Sequence, residues 1–407
     1  MINLKDKKDC CGCSACYNIC QQKAIFMQED IEGFLYPIVD NKKCVKCNLC
    51  IKVCPILNNK KETNLSELYG CKNKNVEEQK ISSSGGIFSL LANYILDSNG
   101  IVFGASYNDK WEVIHKFIDK KDDLDSLRRS KYVQSDIKNT YKKSKEFLDN
   151  NKFVLFCGTP CQIAGLKNFL NKDYTNLYTM DFICFGVPSP KIWSIFLKQN
   201  FETSKITSIN FRYKEFGWDH CYLKIHTVTR NYFVTLYKKF KHKCKKYLIN
   251  LLSAQYFFSR YYYLSFFKGF LYSLFLRPSC HTCVFKGTER YSDITVYDLW
   301  GVNNIAPQLY DSNGVSGLNI NSEKGKFLFE KIKSNLFFTI INYEQVIKSN
   351  PRFLTSNEPH NKREEFFERY KKENLNKLIN SLLGERFLIL KIVKATIKKF
   401  KKFKYHK

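Results

Sequence analysis

Cys10-Cys-Gly-Cys13-Ser-Ala-Cys16-Tyr-Asn-Ile-Cys20 and Cys44-Val-Lys-Cys47-Asn-Leu-Cys50-Ile-Lys-Val-Cys54-Pro55 are two copies of one pattern, C-x2-C-x2-C-x3-C. Three cysteines at this spacing wrap one iron–sulfur cubane, and the fourth reaches the other cluster. The spacing predicts two 4Fe-4S clusters. The first takes Cys10, Cys13, Cys16 and Cys54, and the second takes Cys44, Cys47, Cys50 and Cys20. Zinc is the competing reading, but a structural zinc takes four ligands, commonly as two spaced pairs. Three close cysteines plus a fourth, twice over, exceed that need. Between the runs, Ala24–Met27 and Phe34–Val39 flank Glu32-Gly33, a hairpin of the length that joins two cluster loops. Pro55 follows the last cysteine as the pattern expects, whereas Gln21 stands at the equivalent place in the first run. Cys11 is an extra thiol and is read as a non-ligand.

Outward from this module the chain changes character. Its 407 residues exceed one ordinary core, and 44% hydrophobic with 15% aromatic residues supplies two or three domains. Residues 1–60 form the dicluster domain and 61–68 read as a polar linker. A core runs over 69–345, and 346–407 reads as a C-terminal helical basic tail. Within the core, Ile87 to Leu96, Ser144 to Leu148 and Ile163 to Leu170 read as helices. Ile101 to Ala105, Phe153 to Phe156 and Leu177 to Phe185 read as strands. Alternation of this kind predicts an α/β domain with a mainly parallel sheet. The expected fold is thus an α+β ferredoxin-like dicluster domain followed by an α/β core. Ile206 to Tyr213 and Cys221 to Thr229 read as a strand pair, and Lys238 to Lys246 is a basic cluster.

The chain has 17 cysteines, an odd number, and opens on the polar stretch Met1 to Asp9. A reducing cytosol is the expected compartment, where cysteine runs hold metal rather than disulfides. No uncharged apolar run reaches the ~18 residues that span a bilayer. Tyr247 to Leu276, the nearest, is broken by Arg260 and Lys268 and reads as a buried helical or interface segment. The net charge of +28 attracts anions. Nucleic acid is not the expected partner, because no nucleic-acid motif accompanies the charge. Phe387 to Lys407 sets Ile389, Val393, Ile397, Phe400 and Phe403 on one helical face and lysines on the other. Such a segment suits the anionic inner face of a membrane, and a solvated basic tail is the alternative.

Four more cysteines are Cys161, Cys184, Cys280 and Cys283, the last two in a C-x2-C loop. Spacing alone leaves them as buried thiols or as a third cluster. Ser82-Ser-Ser-Gly-Gly86 precedes a helix, where backbone N–H groups hold a pyrophosphate or a serine caps the helix. Lys131 is a candidate for the phosphate or a solvated side chain. Gly158-Thr159 lies at a strand end, where ligand crevices of parallel sheets open.

Several of these stretches together resemble the coenzyme F-420 hydrogenase/dehydrogenase beta-subunit family. They are Ser84-Gly-Gly86, Arg129-Ser-Lys-Tyr-Val-Gln-Ser135, Gly158-Thr-Pro-Cys-Gln-Ile-Ala-Gly165 and Cys184-Phe-Gly-Val-Pro-Ser-Pro190. Phe216-Gly-Trp218, Leu276-Arg-Pro-Ser-Cys280, Cys283 and Ser292-Asp-Ile-Thr-Val-Tyr-Asp-Leu-Trp-Gly301 complete the set. The resemblance covers roughly residues 5–345. It implies an iron–sulfur flavoprotein oxidoreductase, with a third 4Fe-4S cluster on Cys161, Cys184, Cys280 and Cys283 and an FAD. The flavin residues it points to are Ser84, Gly85, Gly86, Lys131, Gly158, Thr159 and Gln162. Implied partners are a redox protein, the deazaflavin F-420 or an organic substrate, and some relatives resemble proteins of polysaccharide assembly. A non-catalytic electron relay or a membrane-associated scaffold is the alternative. Tyr297 stands where many relatives carry glycine, so a reshaped pocket is expected there.

Overall fold

The computed structural model describes residues 1–59, 67–214, 217–218, 222–228 and 265–384. Strand β1 (Ile25–Glu29) pairs antiparallel with β2 (Leu35–Val39). Asp30 closes the turn by accepting the backbone N–H groups of Glu32 and Phe34. Gly33 takes φ +86°, and a Cβ there would strike the Lys191 side chain, so only glycine fits. Short helices α1 (Ala15–Ile19) and α2 (Leu49–Lys52) follow the two cysteine loops.

The core is one eight-stranded sheet in the order β12-β3-β11-β10-β7-β6-β4-β5. The strands are β3 (Glu67–Asn73), β4 (Ile101–Tyr107), β5 (Val113–Ile118), β6 (Val154–Cys157), β7 (Leu177–Phe182), β10 (Ile294–Asp298), β11 (Ser316–Ile320) and β12 (Leu336–Ile340). A separate pair joins β8 (Ile206–Tyr213) to β9 (Tyr222–Thr227).

The sheet is mixed, which corrects the expectation of a mainly parallel one. Only β4/β6, β6/β7 and β7/β10 pair in parallel, while β4/β5, β10/β11, β11/β3 and β3/β12 are antiparallel. The central strands carry continuous apolar runs such as Val154-Leu155-Phe156, buried on both faces, and these are legible in sequence. The outer strands are more exposed: β12 runs from buried Leu336 to exposed Phe337 and Phe338. The polar linker also ends earlier than expected, since Glu67 and buried Leu68 already belong to β3.

Beyond β3, Asn75 caps the short helix α3 (Val76–Ile81) by accepting from the N–H groups of Glu77 and Glu78. Helix α4 (Ile87–Asp97) buries Ile87, Leu91, Ala92 and Ile95 on one sheet face, against Leu328, Phe329 and Ile332 of the helix Glu323–Ile332. The i, i+4, i+8 spacing of Ile87, Leu91 and Ile95 makes that face. Helices α5 (Thr140–Asp149) and α6 (Pro160–Leu170) cover the other face. Cys11, Cys13, Ala15 and Val53 of the N-terminal module join the same apolar cluster. Asn18 donates to the Lys138 carbonyl at 2.8 Å, so the module is seated on the core rather than tethered beside it.

Residues 346–384, read as part of a basic tail, are packed instead. Phe366, Phe367, Tyr370, Leu375, Leu378 and Ile379 enter a cluster with α7 (Pro190–Asn200) and with buried Phe266, Phe270 and Phe275. Arg363 forks onto both Glu32 carboxylate oxygens, and Tyr370 donates to the Ile31 carbonyl, so this segment clasps the β1–β2 turn. The lysine-rich run that marks a basic tail in the sequence begins only after residue 390, beyond this segment. Lys238 to Lys246, Tyr247 to Arg260, Cys221, Cys244 and Phe387 to Lys407 lie outside the described residues. Among the described residues, no helix is long and apolar enough to cross a membrane.

Tyr297 packs across β10 and β11. Its ring covers Gly317, its register partner, and its hydroxyl donates to Asn319 at 3.0 Å. A Cβ at Gly317 would stand 2.0 Å from the ring. Gly317→Ala is expected to destabilise by about 1–3 kcal/mol through overpacking. A thermal melt matching the wild type would show that the ring moves aside freely.

Candidate iron–sulfur and flavin sites

The two cysteine runs repeat in backbone as well as in sequence. Gly12 and Ser14 take φ +72° and +60°, and the equivalent Lys46 and Asn48 take +54° and +60°. Left-handed residues alternating with right-handed ones turn successive N–H groups into a concavity that receives an anion, as iron–sulfur clusters do. This is costly for non-glycine residues and recurs at both loops. The donor set fits a pair of clusters. Cys54 lies within electrostatic reach of Cys10, Cys16 and Cys50, so the last cysteine crosses to the first loop's set. Cys20 and Cys50 pack together with Ile25 and Ile2, and Ile2 N–H donates to the Cys50 sulfur at 3.2 Å. Burial pushes the Cys16 and Cys54 thiols up. Irons would supply the positive charge that lets such thiols ionise and shed their protons.

Among the described residues, no group of three His, Cys, Asp or Glu side chains is placed for a single metal ion. Thiolates of a cubane bind different irons and stand wider apart than the ligands of one ion.

The four core cysteines come from three separate elements and converge. Cys161 sits in the first turn of α6, Cys184 just beyond β7, and Cys280 and Cys283 around the 3-10 turn Pro278–Cys280. All four line a cavity of about 210 Å³. Cys11, expected to be a bystander, lines it too, within hydrogen-bond reach of Cys161. That contact and burial hold the Cys161 thiol well above its usual value. Burial pushes Cys184 up to about 12 and raises Cys280 and Cys283 as well. Cationic Lys286, Arg290 and Arg352 share the lining, which suits an anionic occupant. Val187 N–H donates to the Cys280 sulfur at 3.4 Å and Thr159 Oγ1 meets the Cys161 sulfur at 3.1 Å. Four thiols, polar contacts to sulfur and a cationic wall fit a cubane here.

Arg277 is the residue that sequence reasoning misses. Its side chain is fully buried between the module and the core. It donates to the Cys10 carbonyl at 2.8 Å, the Leu35 carbonyl at 3.0 Å and Gln134 Oε1 at 2.9 Å, and its guanidinium lies 4.3 Å from the Tyr36 ring centroid. The signal is present in Leu276-Arg-Pro-Ser-Cys280, but nothing local says that an arginine beside a cysteine turn faces another domain.

The expected flavin residues are brought to the C-terminal edge of the parallel strands, but most are occupied. Gln162 caps α6 by accepting from Thr159 N–H at 3.0 Å and donates to Ser135. Gly158 lies against the Gln162 side chain. Lys131 turns inward and donates to the carbonyls of Ser126, Leu127, Arg128 and Arg129, which closes its own loop. Burial lowers it to about 7. Gly85 is needed where a Cβ would stand 2.7 Å from the Cys71 carbonyl. Gly86, at φ +84°, starts α4 with no side-chain cap, and Ser84 Oγ bonds the Val315 carbonyl. The charged groups near this helix start are ones that sequence patterns do not point to. Arg128 reaches Ser89 while its guanidinium contacts both Glu78 carboxylate oxygens at 2.9 Å, and Arg212 reaches the Ser83 carbonyl while pairing with Asp298 at 3.0 Å. Trp218 stacks on Trp300 at 4.9 Å beside them. The uncapped first turn of α4, with two arginines and the orphaned Asn73 amide near Gly86, fits a phosphate-bearing cofactor.

Residues 151–346 match the family model for the C terminus of the coenzyme F420 hydrogenase/dehydrogenase beta subunit. Residues 9–57 match the 4Fe-4S dicluster domain. No curated protein matches the chain. Among solved structures, a chain from the xenon-derivatised F420-reducing NiFe hydrogenase complex of Methanosarcina barkeri is 13% identical, with a TM-score of 0.43. That match covers 84% of this chain and 94% of the other.

Proposed function

From the premise that residues 151–346 belong to the coenzyme F-420 hydrogenase/dehydrogenase beta-subunit family and residues 9–57 to the 4Fe-4S dicluster domains, we propose an iron–sulfur flavoprotein reductase that joins one-electron to two-electron chemistry. The coarser statement, an iron–sulfur protein of oxidoreductase type, follows from the family itself. In the finer reading, Cys161, Cys184, Cys280 and Cys283 hold a third 4Fe-4S cluster between the N-terminal pair and an FAD. The observation that carries it is the single cavity these four cysteines line together with Cys11 of the N-terminal module. Electrons from the first cluster then have a short path into the core.

Bound at the C-terminal edge of the sheet, FAD would supply hydride exchange with an organic substrate or deazaflavin. The N–H groups opening α4, with Arg128 and Arg212 beside them, would hold its phosphates. Trp218 and Trp300 would wall that end of the cleft. A redox partner protein delivers or receives the single electrons.

Anaerobic purification followed by assay of iron, sulfide and released flavin tests this. About twelve iron and one flavin per chain are expected, four iron for each cluster. About eight iron with no flavin would overturn the core reading and leave the N-terminal module as a relay.

A further inference from the structure

The N-terminal module has two unlike ends. Its first cysteine loop is sealed against the core: Cys11 and Cys13 are buried, and a Cβ on Gly165 of α6 would stand 2.9 Å from the Cys13 sulfur. Its second loop faces outward. Lys46, Cys47 and Asn48 are exposed, and Val45 at the loop's start is 63% exposed.

Charge is divided along the same axis. The carboxylates of the module are Asp6, Asp9, Glu29, Asp30, Glu32 and Asp40. Five of them are in ion pairs: Asp6 with Lys8, Asp30 with Lys7, Glu29 with Lys191, Glu32 with Arg363 and Asp40 with Lys43. Two of these pairs reach into the core. Lys23, Lys42, Lys46 and Lys52 are exposed and, among the described residues, have no carboxylate partner. All four border the second loop. Lys46 and Lys52 flank its cysteines. The β1–β2 register, with Asp40 N–H on the Ala24 carbonyl, carries Lys23 to the level of Asn41, the residue before Lys42. The ratio of bases to acids on this rim far exceeds that of the chain as a whole.

We infer that this rim is the docking surface for an acidic one-electron carrier protein, which exchanges electrons with the cluster held by Cys20, Cys44, Cys47 and Cys50. The inference rests on the reading of residues 1–59 as a two-cluster module. A cluster at an exposed loop is the one a partner approaches closely. A cationic rim raises the encounter rate of an anionic partner and orients it, and Val45 gives a small dry contact at the centre. Weak, transient contacts of this kind need little buried area.

The test uses the full chain with its clusters, and a small, reduced acidic ferredoxin as the probe. Cluster bleaching is followed by anaerobic stopped flow, with a viologen radical as a reductant that needs no docking. The triple variant Lys23→Glu/Lys42→Glu/Lys52→Glu is expected to slow reduction by ferredoxin about tenfold or more, within the range of electrostatic steering. Reduction by the viologen radical is expected not to slow. Raising salt from about 0.05 to about 0.5 M should slow the wild type similarly and the variant little. The control variant Lys110→Glu/Lys348→Glu, remote from the rim, should match the wild type. Equal slowing in the control would show that net charge alone acts and would overturn the inference. So would a triple variant that keeps its ferredoxin rate while losing attachment to vesicles of anionic lipid, which would make the rim a membrane contact. Iron content separates the two levels of failure. A chain with its iron but no response to charge reversal defeats the docking surface alone, and a chain without cluster iron defeats the module reading as well.

Discussion

Hydrogen exchange of the amides between Cys10 and Tyr36 is expected to accelerate about a hundredfold or more when Arg277 is replaced by methionine. The volume is nearly kept, so the effect is not a cavity. What is lost is a set of donors. The Cys10 and Leu35 carbonyls and Gln134 Oε1 each lose a charged partner inside the protein. An orphaned buried acceptor costs about 1–3 kcal/mol, and removing one member of a buried charged network costs about 3–5 kcal/mol in all. Relief from burying the guanidinium opposes this. It is smaller, because the cation already lies over the Tyr36 and Phe34 rings and within reach of the Cys10 sulfur. Arg277→Lys keeps the charge but not the planar fork, so it should recover only a minor part of the protection. Unchanged exchange in the methionine variant would mean that the apolar contacts of Ala15 and Val53 seat the module without it.

Local pattern explains what can be read from the chain. The doubled cysteine run carries its own geometry, since the left-handed positions at Gly12, Ser14, Lys46 and Asn48 fall at equivalent places in each copy. The central strands are visible because strands buried on both faces must be apolar throughout. Outer strands obey a weaker rule: β5 (Val113-Ile-His-Lys-Phe-Ile118) and β12 each mix buried with exposed positions, and the partner of β12, β3, lies far along the chain. The four core cysteines are legible only through family motifs, and no spacing rule places Cys11 at all. Its neighbour in space is Cys161, 150 positions away. The flavin residues show a different ambiguity. Gly85 and Gly86 are conformational necessities against β3 and β11, and Lys131 closes a loop. A glycine-rich helix start is one pattern with two physical causes, and sequence cannot separate them.

Cys280→Ala is expected to remove about four of about twelve irons per chain and to leave the spectra of the N-terminal clusters intact. The reasoning is geometric. Cys280 lies on the core side of Arg277, in a turn whose main chain is fixed by Arg277 N–H on the Val187 carbonyl and Cys280 N–H on the Arg277 carbonyl. Removing its sulfur takes a ligand from the core cavity without touching Cys10, Cys16 or Cys54. Electrons supplied by ferredoxin should then still bleach the N-terminal clusters, while flavin reduction falls below detection on that time scale. Cys11→Ala is the companion, because Cys11 lines the same cavity and could replace one of the four. If Cys11 is a spare thiol, its variant keeps all its iron and passes electrons to the flavin. If Cys11→Ala loses four irons and Cys280→Ala does not, the core cluster is bound from the N-terminal module, and the two iron–sulfur regions are one continuous site. Loss of iron in neither variant would leave the cavity as packed thiols and would end the path of electrons at the first module.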